Sequence, residues 1–326
     1  MPNFYYSIND AQTPPKASEE ARKFIAALPP NFVSAQIEAL NEAIAGDSAK
    51  LNAIRRARIV PIEDREDVFF MTVEINFGGE KRKLFIYAPR HVEGGAKVVI
   101  YYHGGGWCIN SPEGCSRACQ DISARTGSIV VAPQYRLAPE FPYPAANLDA
   151  LQTLEWTREN IGRFGGDASK IFLAGDSAGG HLAAATALRA KGEIAGVVMF
   201  YPAADLSLEN KRPSRAEFAK GYCLDGELMK LYTRADLKDF FHLAKNPAAS
   251  PIFADFSGFA NSLVISSQCD VLRDEARDMA LKIREAGANV RYVCIEGATH
   301  IFITQKGMDE AYHKAIEEAV LFILKN

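Results

Sequence analysis

One serine stands in a short glycine-rich segment that could make it a nucleophile. Ser177 is the central residue of 175–179, which reads G-x-S-x-G. The apolar run 170–174 before it is typical of a buried strand, and 180–188 after it is rich in helix-forming residues. A serine at a tight strand-to-helix turn needs small neighbours, because glycine adopts strained backbone angles at low cost. The pattern therefore predicts a nucleophile elbow that raises the Ser177 hydroxyl above the edge of a sheet.

A second glycine-rich segment could stabilise a developing negative charge. Residues 103–107 read HGGGW and directly follow an apolar strand-like run at 98–102. Three glycines in a row leave backbone N–H groups free to face a cavity, as an oxyanion hole requires. Their spacing matches neither G-x-x-x-x-G-K-[ST] nor G-x-G-x-x-G, the two phosphate-binding patterns. Together with the serine turn, the segment favours an oxyanion hole over a flexible or phosphate-binding loop.

A nucleophilic serine needs a general base, and the histidines of this chain differ in their suitability. In hydrolases with a G-x-S-x-G motif, the order along the chain is the serine, then the acid, then the histidine base. His300 lies in a glycine-containing loop after the last apolar strand, at the sheet edge where open α/β folds bind ligands. His242 lies in an irregular segment and His313 in a helical run, so both are expected to be packing or surface residues. His181, on the helix after the serine, is expected to pack against the sheet.

The acid that orients the base should follow an earlier strand at the same sheet edge. Asp270 comes directly after the apolar run 263–269. Asp274 lies one helical turn further on and remains the alternative. The carboxylate would hold the tautomer of the imidazole and stabilise its positive form without being protonated itself.

Alternating strand-like and helix-like segments are expected to position these residues. Short apolar runs alternate with longer helix-forming runs over most of the chain, and strands buried on both faces form a mostly parallel sheet between helices. The expected strands are 68–73, 83–87, 98–102, 128–133, 170–175, 195–201, 263–267 and 290–295. The expected helices among them are 113–125, 145–160, 178–191, 273–286 and 308–324.

Two segments interrupt this alternation. Residues 17–60 carry apolar residues at helical spacing with no strand pattern, and they end in a basic group, Arg55, Arg56 and Arg58, expected to be a solvated helix end. Residues 207–246 contain no clear strand and are too long for an ordinary connection. We expect this second segment to form a lid that packs with the N-terminal helices.

The composition points away from nucleic acid and membranes. The formal net charge is −3 and charged residues make up 24% of the chain, so no basic surface is expected for nucleic acid or anionic lipid. No apolar run approaches the roughly 18 residues of a membrane span, and the first residues lack the pattern of a secretory signal. The six cysteines show neither disulfide-framework nor metal-site spacing. We expect reduced thiols in a cytoplasmic protein.

The ordered set of motifs resembles the hormone-sensitive-lipase-like group, bacterial family IV, of the α/β-hydrolase carboxylesterases. The matching segments are HGGGW at 103–107, YRLAPE at 135–140, GDSAGG at 175–180, DVLRD at 270–274, and His300. The resemblance covers about 60–326. It implies an α/β-hydrolase fold, with a mostly parallel eight-stranded sheet, helices on both faces and a helical cap. It divides the chain into 1–50 and 207–246 as the cap and 51–206 and 247–326 as the catalytic domain.

The same resemblance assigns roles to site residues. It implies Ser177 as nucleophile, His300 as base and Asp270 as orienting acid. The implied oxyanion donors are the N–H groups of Gly105, Gly106 and Ala178. Val271 stands where the family usually has proline, and this difference is expected to loosen the loop that holds the acid.

The expected reaction is ester hydrolysis through an acyl-enzyme, with a small-molecule ester as the partner and no cofactor or metal. The expected pocket residues are Trp107, Asp176, Phe218 and Tyr222, and the three aromatic side chains among them suggest a confined apolar site. We therefore expect short-to-medium acyl chains rather than insoluble triglycerides. An amidase or arylformamidase using the same residues remains an alternative, as does a non-catalytic small-molecule receptor. The resemblance also suggests a homodimer.

Overall fold

The computed structural model describes residues 16–92 and 94–326, so the part of the predicted cap at 1–15 lies outside it. The strands are β1 Val68–Phe77, β2 Glu80–Pro89, β3 Ala96–Tyr102, β4 Ile129–Pro133, β5 Gly166–Asp176, β6 Gly196–Phe200, β7 Ser262–Cys269 and β8 Val290–Thr299. The α-helices are α1 Glu19–Ala27, α2 Phe32–Ile44, α3 Ala49–Ala57, α4 Ser116–Thr126, α5 Ala145–Asn160, α6 Ala178–Arg189, α7 Pro213–Glu217, α8 Gly226–Leu237, α9 Arg273–Glu285 and α10 Asp309–Lys325.

Within the described residues, the strands form one eight-stranded sheet in the order β1-β2-β4-β3-β5-β6-β7-β8. The strands β3 to β8 run parallel, whereas β2 is antiparallel to both β1 and β4. The strands β4 and β6 are buried along their whole length, because helices cover both faces of the sheet. In contrast, β1 alternates between buried and more exposed residues, as expected of an edge strand. The predicted α/β architecture is confirmed.

The register of the parallel strands brings four loops to one edge of the sheet. Tyr102 at the end of β3 is paired with Gly175 near the end of β5, so the HGGGW segment begins beside the serine turn. Cys269 at the end of β7 is paired with Thr299 at the end of β8. Asp270 and His300 follow these two residues directly. The edge of the sheet at the carboxyl ends of its parallel strands, here called the carboxyl edge, therefore carries all the candidate catalytic segments that the sequence indicated.

The helices outside the sheet pack together above this edge. Helix α2 packs against α8, and the Tyr232 hydroxyl donates a hydrogen bond of 2.9 Å to Gln36 Oε1 between them. The α-helix α8 ends at Leu237, and the chain continues as a 3-10 helix at Lys238–Leu243. These contacts agree with a lid that joins the N-terminal helices to 207–246. The boundaries of the cap at 50, 206 and 246 stay a prediction.

The basic end of α3 is not simply solvated, contrary to the expectation from sequence. Arg55 pairs with Glu140 at 2.8 Å and donates to the backbone carbonyls of Cys108 and Ala138 at 2.8 and 2.7 Å. These carbonyls belong to loops at the carboxyl edge, and α3 lies across them. In this way α3 is fixed to the loop after β3, whereas Arg56 is exposed.

Two properties bear on the environment of the protein. All six cysteines are free and buried. In the described part of the chain, no helix has both the length and the apolar character needed to cross a lipid bilayer. The cytoplasmic location and the homodimer stay predictions.

Candidate active site

A chain of two hydrogen bonds joins a serine, a histidine and an aspartate at the carboxyl edge. Ser177 Oγ lies 2.9 Å from His300 Nε2, and His300 Nδ1 lies 2.6 Å from Asp270 Oδ2. Because the carboxylate can only accept, Nδ1 carries the proton and Nε2 accepts from the serine hydroxyl. The other carboxylate oxygen accepts from the N–H of Leu272 at 3.0 Å. The arrangement can take a proton from Ser177 and stabilise the imidazolium that results.

The backbone at Ser177 is strained, and its glycine neighbours make this possible. Ser177 has φ 55° and ψ −118° between β5 and α6, a conformation that L-residues rarely adopt. A methyl group on Gly179 would lie 1.9 Å from the carbonyl oxygen of Tyr102, and one on Gly175 would lie 2.4 Å from the backbone of Gly179. The G-x-S-x-G pattern therefore follows from the close approach of helix α6 to β3 and β5.

The glycine loop after β3 presents backbone N–H groups beside the serine. Gly105 and Gly106 have φ values of 122° and 58°, and in residues 16–92 and 94–326 neither N–H group makes a hydrogen bond. Ala178 is the first residue of α6, so its N–H group has no partner inside the helix. These three residues line the same cleft as Ser177. The geometry is suited to hold a negative oxygen at a helix N-terminus.

The residue before the serine connects the two glycine-rich segments. Asp176 Oδ1 accepts hydrogen bonds from the N–H of Gly104 at 3.0 Å and from the hydroxyl of Tyr101 at 3.1 Å. Any side chain on Gly104 would collide with this carboxylate, since a methyl group there would lie 2.3 Å from Asp176 Oδ2. Burial raises the pKa of Asp176 to about 6. Asp176, which is predicted to line the pocket, therefore also anchors the glycine loop.

The alternative acid, Asp274, points to a different partner. Its carboxylate accepts from the N–H of Ser214 at 2.8 Å and pairs with Arg273 at 2.9 Å, and no contact with His300 is present among the described residues. The loop that holds Asp270 is also braced, because the Ser214 hydroxyl donates to the carbonyl of Val271 at 3.0 Å. Val271 is fully buried. The loosening expected from valine at this position is therefore offset by packing and by cap helix α7.

The serine opens into a cleft whose empty space, counted together with the open solvent at its mouth, is about 590 Å³. Trp107 and Asp176 line the cleft, as predicted, but Phe218 and Tyr222 do not. The Phe218 ring meets Tyr222 edge-on at 5.0 Å and carries the Arg273 guanidinium 5.1 Å over its face. The two rings pack against each other, and Phe218 also packs against Arg273 at the start of α9, so their assignment to the pocket is corrected.

The sequence did not indicate which residues of the helices above the sheet edge line the cleft. Those from α2, the residue after α3, the segment before α8 and α8 itself are Phe32, Gln36, Arg58, Leu224, Leu228 and Met229. Tyr232 of α8 lies beside them, and a methyl group on Gly106 would be 2.3 Å from its ring. The amphipathic pattern of these helices marks a buried face but does not show which cavity that face closes.

His181 has the structural role expected of it. The Trp107 indole N–H donates to His181 Nδ1 at 3.3 Å, and His181 Nε2 donates to the carbonyl of Ala249 at 2.8 Å. Burial lowers the pKa of His181 to about 4, so the ring is neutral at physiological pH. It holds Trp107 at the start of the glycine loop rather than serving Ser177. Arg136 of the YRLAPE segment pairs with the buried carboxylate of Asp149 at 2.6 Å.

Comparison with known proteins places this geometry among esterases. Residues 99–304, well over half of the chain, match the family model described as the alpha/beta hydrolase fold. An arylesterase of Saccharolobus solfataricus is 34% identical over 228 aligned residues, covering 67% of this chain and 72% of the relative. An ethyl acetate hydrolase of Pseudomonas putida is 33% identical over 218, covering 63% of this chain and 66% of the relative. The solved thermostable esterase of Pseudomonas putida ECU1011 superposes with a TM-score of 0.82 at 26% identity, covering 95% of this chain and 97% of the other.

Proposed function

The chain belongs to the hormone-sensitive-lipase-like group of the α/β-hydrolase family, and on that basis we propose that it is a serine carboxylesterase with Ser177 as its nucleophile. The observation that carries the proposal is the pair of hydrogen bonds from Ser177 through His300 to Asp270. The esterase relatives support the class of substrate. The glycine loop and the start of α6 support acyl transfer as the type of reaction.

Acylation begins with attack of Ser177 Oγ on the ester carbonyl carbon. His300 Nε2 takes the hydroxyl proton, and the buried Asp270 stabilises the imidazolium. The carbonyl oxygen becomes an oxyanion that accepts hydrogen bonds from the N–H groups of Gly105, Gly106 and Ala178. His300 then donates its proton to the departing alcohol oxygen, which leaves the acyl group bonded to Ser177.

Deacylation repeats these steps with water as the nucleophile. His300 Nε2 takes a proton from the water as its oxygen attacks the acyl carbon, and the same N–H groups hold the second oxyanion. Collapse of this intermediate breaks the bond to Ser177 Oγ, which receives the proton back from His300. The products are the acid and the free enzyme.

We further propose short-to-medium acyl esters as the substrates. Apolar side chains of α2 and α8 wall the cleft beside Ser177, as is typical of sites for small molecules. The relative named ethyl acetate hydrolase supports a small ester. The cap, with N-terminal helices and 207–246, would limit the length of chain that fits.

A series of p-nitrophenyl esters from acetate to palmitate tests this substrate range. We expect kcat/KM to be highest for short or medium chains and to fall for long ones, because the cap closes the cleft. Activity that rises only above the solubility limit of long esters would instead indicate a lipase. Anilides assayed in parallel separate an amidase, and tight binding without turnover of any substrate would indicate a receptor.

Replacing Gly105 with alanine is expected to lower kcat by about 10²-fold, the scale of losing one oxyanion donor. A methyl group there would lie 2.2 Å from the carbonyl oxygen of Ile109, so the loop and its N–H groups must move. Gly46→Ala is the matched control, since Gly46 also has a positive φ, 109°, but open space around it. Steady-state rates and thermal midpoints of both variants make the comparison. Equal losses of kcat in the two variants would contradict a catalytic role of this loop.

A further inference from the structure

One arginine faces the proposed ester cleft, and in the described part of the chain it has no carboxylate partner. Arg58, the residue after α3, lines the cleft together with Ser177 and His300. It donates from Nη2 to Gln36 Oε1 at 3.1 Å, and its guanidinium lies 5.7 Å from the centre of the Phe32 ring. Among residues 16–92 and 94–326 it forms no ion pair. Within those same residues most of its five N–H donors have no acceptor, so they can donate to a ligand.

The contacts with Gln36 and Phe32 hold the Arg58 guanidinium in place without neutralising its charge. Gln36 is buried, donates to the carbonyl of Phe32 at 2.7 Å and accepts from both Arg58 and Tyr232. The amide thus has a fixed orientation with its oxygen fully used. Burial raises the pKa of Tyr232, so this hydroxyl stays a neutral donor and brings no negative charge to Arg58.

Gln36 and Tyr232 also connect Arg58 to the glycine loop beside Ser177. The near end of the Tyr232 ring packs on Gly106 of the glycine loop, while its hydroxyl, at the far end of the ring, reaches Gln36. Arg58 is bound to the other side of this amide. The contacts from its guanidinium to the glycine loop therefore run through a hydrogen-bonded amide and a tyrosine side chain.

A planar guanidinium with free N–H groups on a cleft wall matches a carboxylate. We propose that Arg58 binds a carboxylate on the substrate, so that this enzyme prefers esters that carry a free acid group remote from the scissile bond. The inference rests on the proposed esterase function and narrows its substrate class. The neighbouring Arg55 shows the contrast, because its charge is already paired with Glu140.

Two pairs of esters of equal length, differing in one charge, test the proposal. Monomethyl adipate is compared with methyl hexanoate, and 6-acetoxyhexanoate with hexyl acetate, by titrating released acid at constant pH. We expect Arg58→Gln to lower the ratio of kcat/KM, anionic over neutral ester, by about 10- to 100-fold in at least one pair, as for a lost charge-assisted hydrogen bond. Arg58→Lys should restore part of the ratio, because it keeps the charge without the planar fork.

Arg56→Gln is the matched control, since Arg56 lies exposed on the same helix and its removal changes the net charge equally. This variant should leave both ratios as in the wild type. If Arg58→Gln lowers kcat/KM equally for the anionic and the neutral ester, or changes neither, in both pairs, the carboxylate proposal is wrong and the esterase function is unaffected.

Calorimetry measures the carboxylate contact without turnover. The affinities of monomethyl adipate and 6-acetoxyhexanoate are compared for Ser177→Ala with and without Arg58→Gln. If neither affinity depends on Arg58, the carboxylate proposal is wrong. If the affinity depends on Arg58 but the wild-type protein hydrolyses no ester, only the esterase proposal is wrong.

Discussion

Replacing Ser177 with alanine is expected to lower kcat for p-nitrophenyl acetate by about 10⁶-fold, the scale seen when a triad nucleophile is removed. The variant lacks the oxygen that forms the acyl-enzyme. Only substrate binding and the N–H groups of the glycine loop would then accelerate attack by water. Initial rates and the pre-steady-state burst of p-nitrophenol make the measurement, and the burst should disappear completely.

A second serine provides the control for this substitution. Ser123 on α4 is fully buried, and its hydroxyl has no hydrogen-bond partner in the part of the chain described. Ser123→Ala should therefore keep wild-type rates. Adding His300→Ala to Ser177→Ala should cause little further loss, because the two residues act as one unit. A Ser177→Ala protein that retained even a hundredth of the activity would show that the nucleophile lies elsewhere.

The Asp270→Asn substitution is expected to lower kcat by about 10⁴-fold, as in another hydrolase with the same triad. Asparagine keeps the size of the side chain but can donate from its amide nitrogen, which favours the wrong tautomer of His300. Nε2 would then carry the proton and could not accept one from Ser177. The measurement is kcat/KM for p-nitrophenyl acetate as a function of pH, with circular dichroism to verify the fold.

Asp274→Asn separates an effect on the tautomer from a general effect on this loop. Asp274 is also buried and lies four residues away, but its partners are Ser214 and Arg273. Its substitution should lower the thermal midpoint, because a buried ion pair is broken, while kcat falls far less than in Asp270→Asn. A larger loss of kcat in Asp274→Asn than in Asp270→Asn would overturn the assignment of the acid.

The local motifs could be located from sequence because their residue types follow from local geometry. The glycines around Ser177 are required by backbone atoms that come within van der Waals distance. In addition, the burial of β4, β6 and most of β3 produces apolar runs that the sequence displays directly. The hairpin strands were harder to delimit, since β1 and β2 extend to Phe77 and Glu80 through polar residues on a solvated face.

The arginines of α3 show why other features required the tertiary structure. Three basic residues within four positions form one charged group in the sequence, but the helix directs each to a different environment. Arg55 is tied to loop carbonyls and Glu140, Arg56 is exposed, and Arg58 lines the cleft. These differences depend on what packs across α3, and those partners lie far away in the chain.

The sequence by itself therefore determined the fold class, the order of the strands along the chain and the candidate residues Ser177, Asp270 and His300. Only the tertiary structure decided which cap side chains face the serine, and it moved Phe218 and Tyr222 out of the pocket. The physical reason is the range of the interactions. Backbone strain and strand burial act on neighbours in the chain and leave a pattern there, whereas a cleft wall forms where helices distant in sequence pack together.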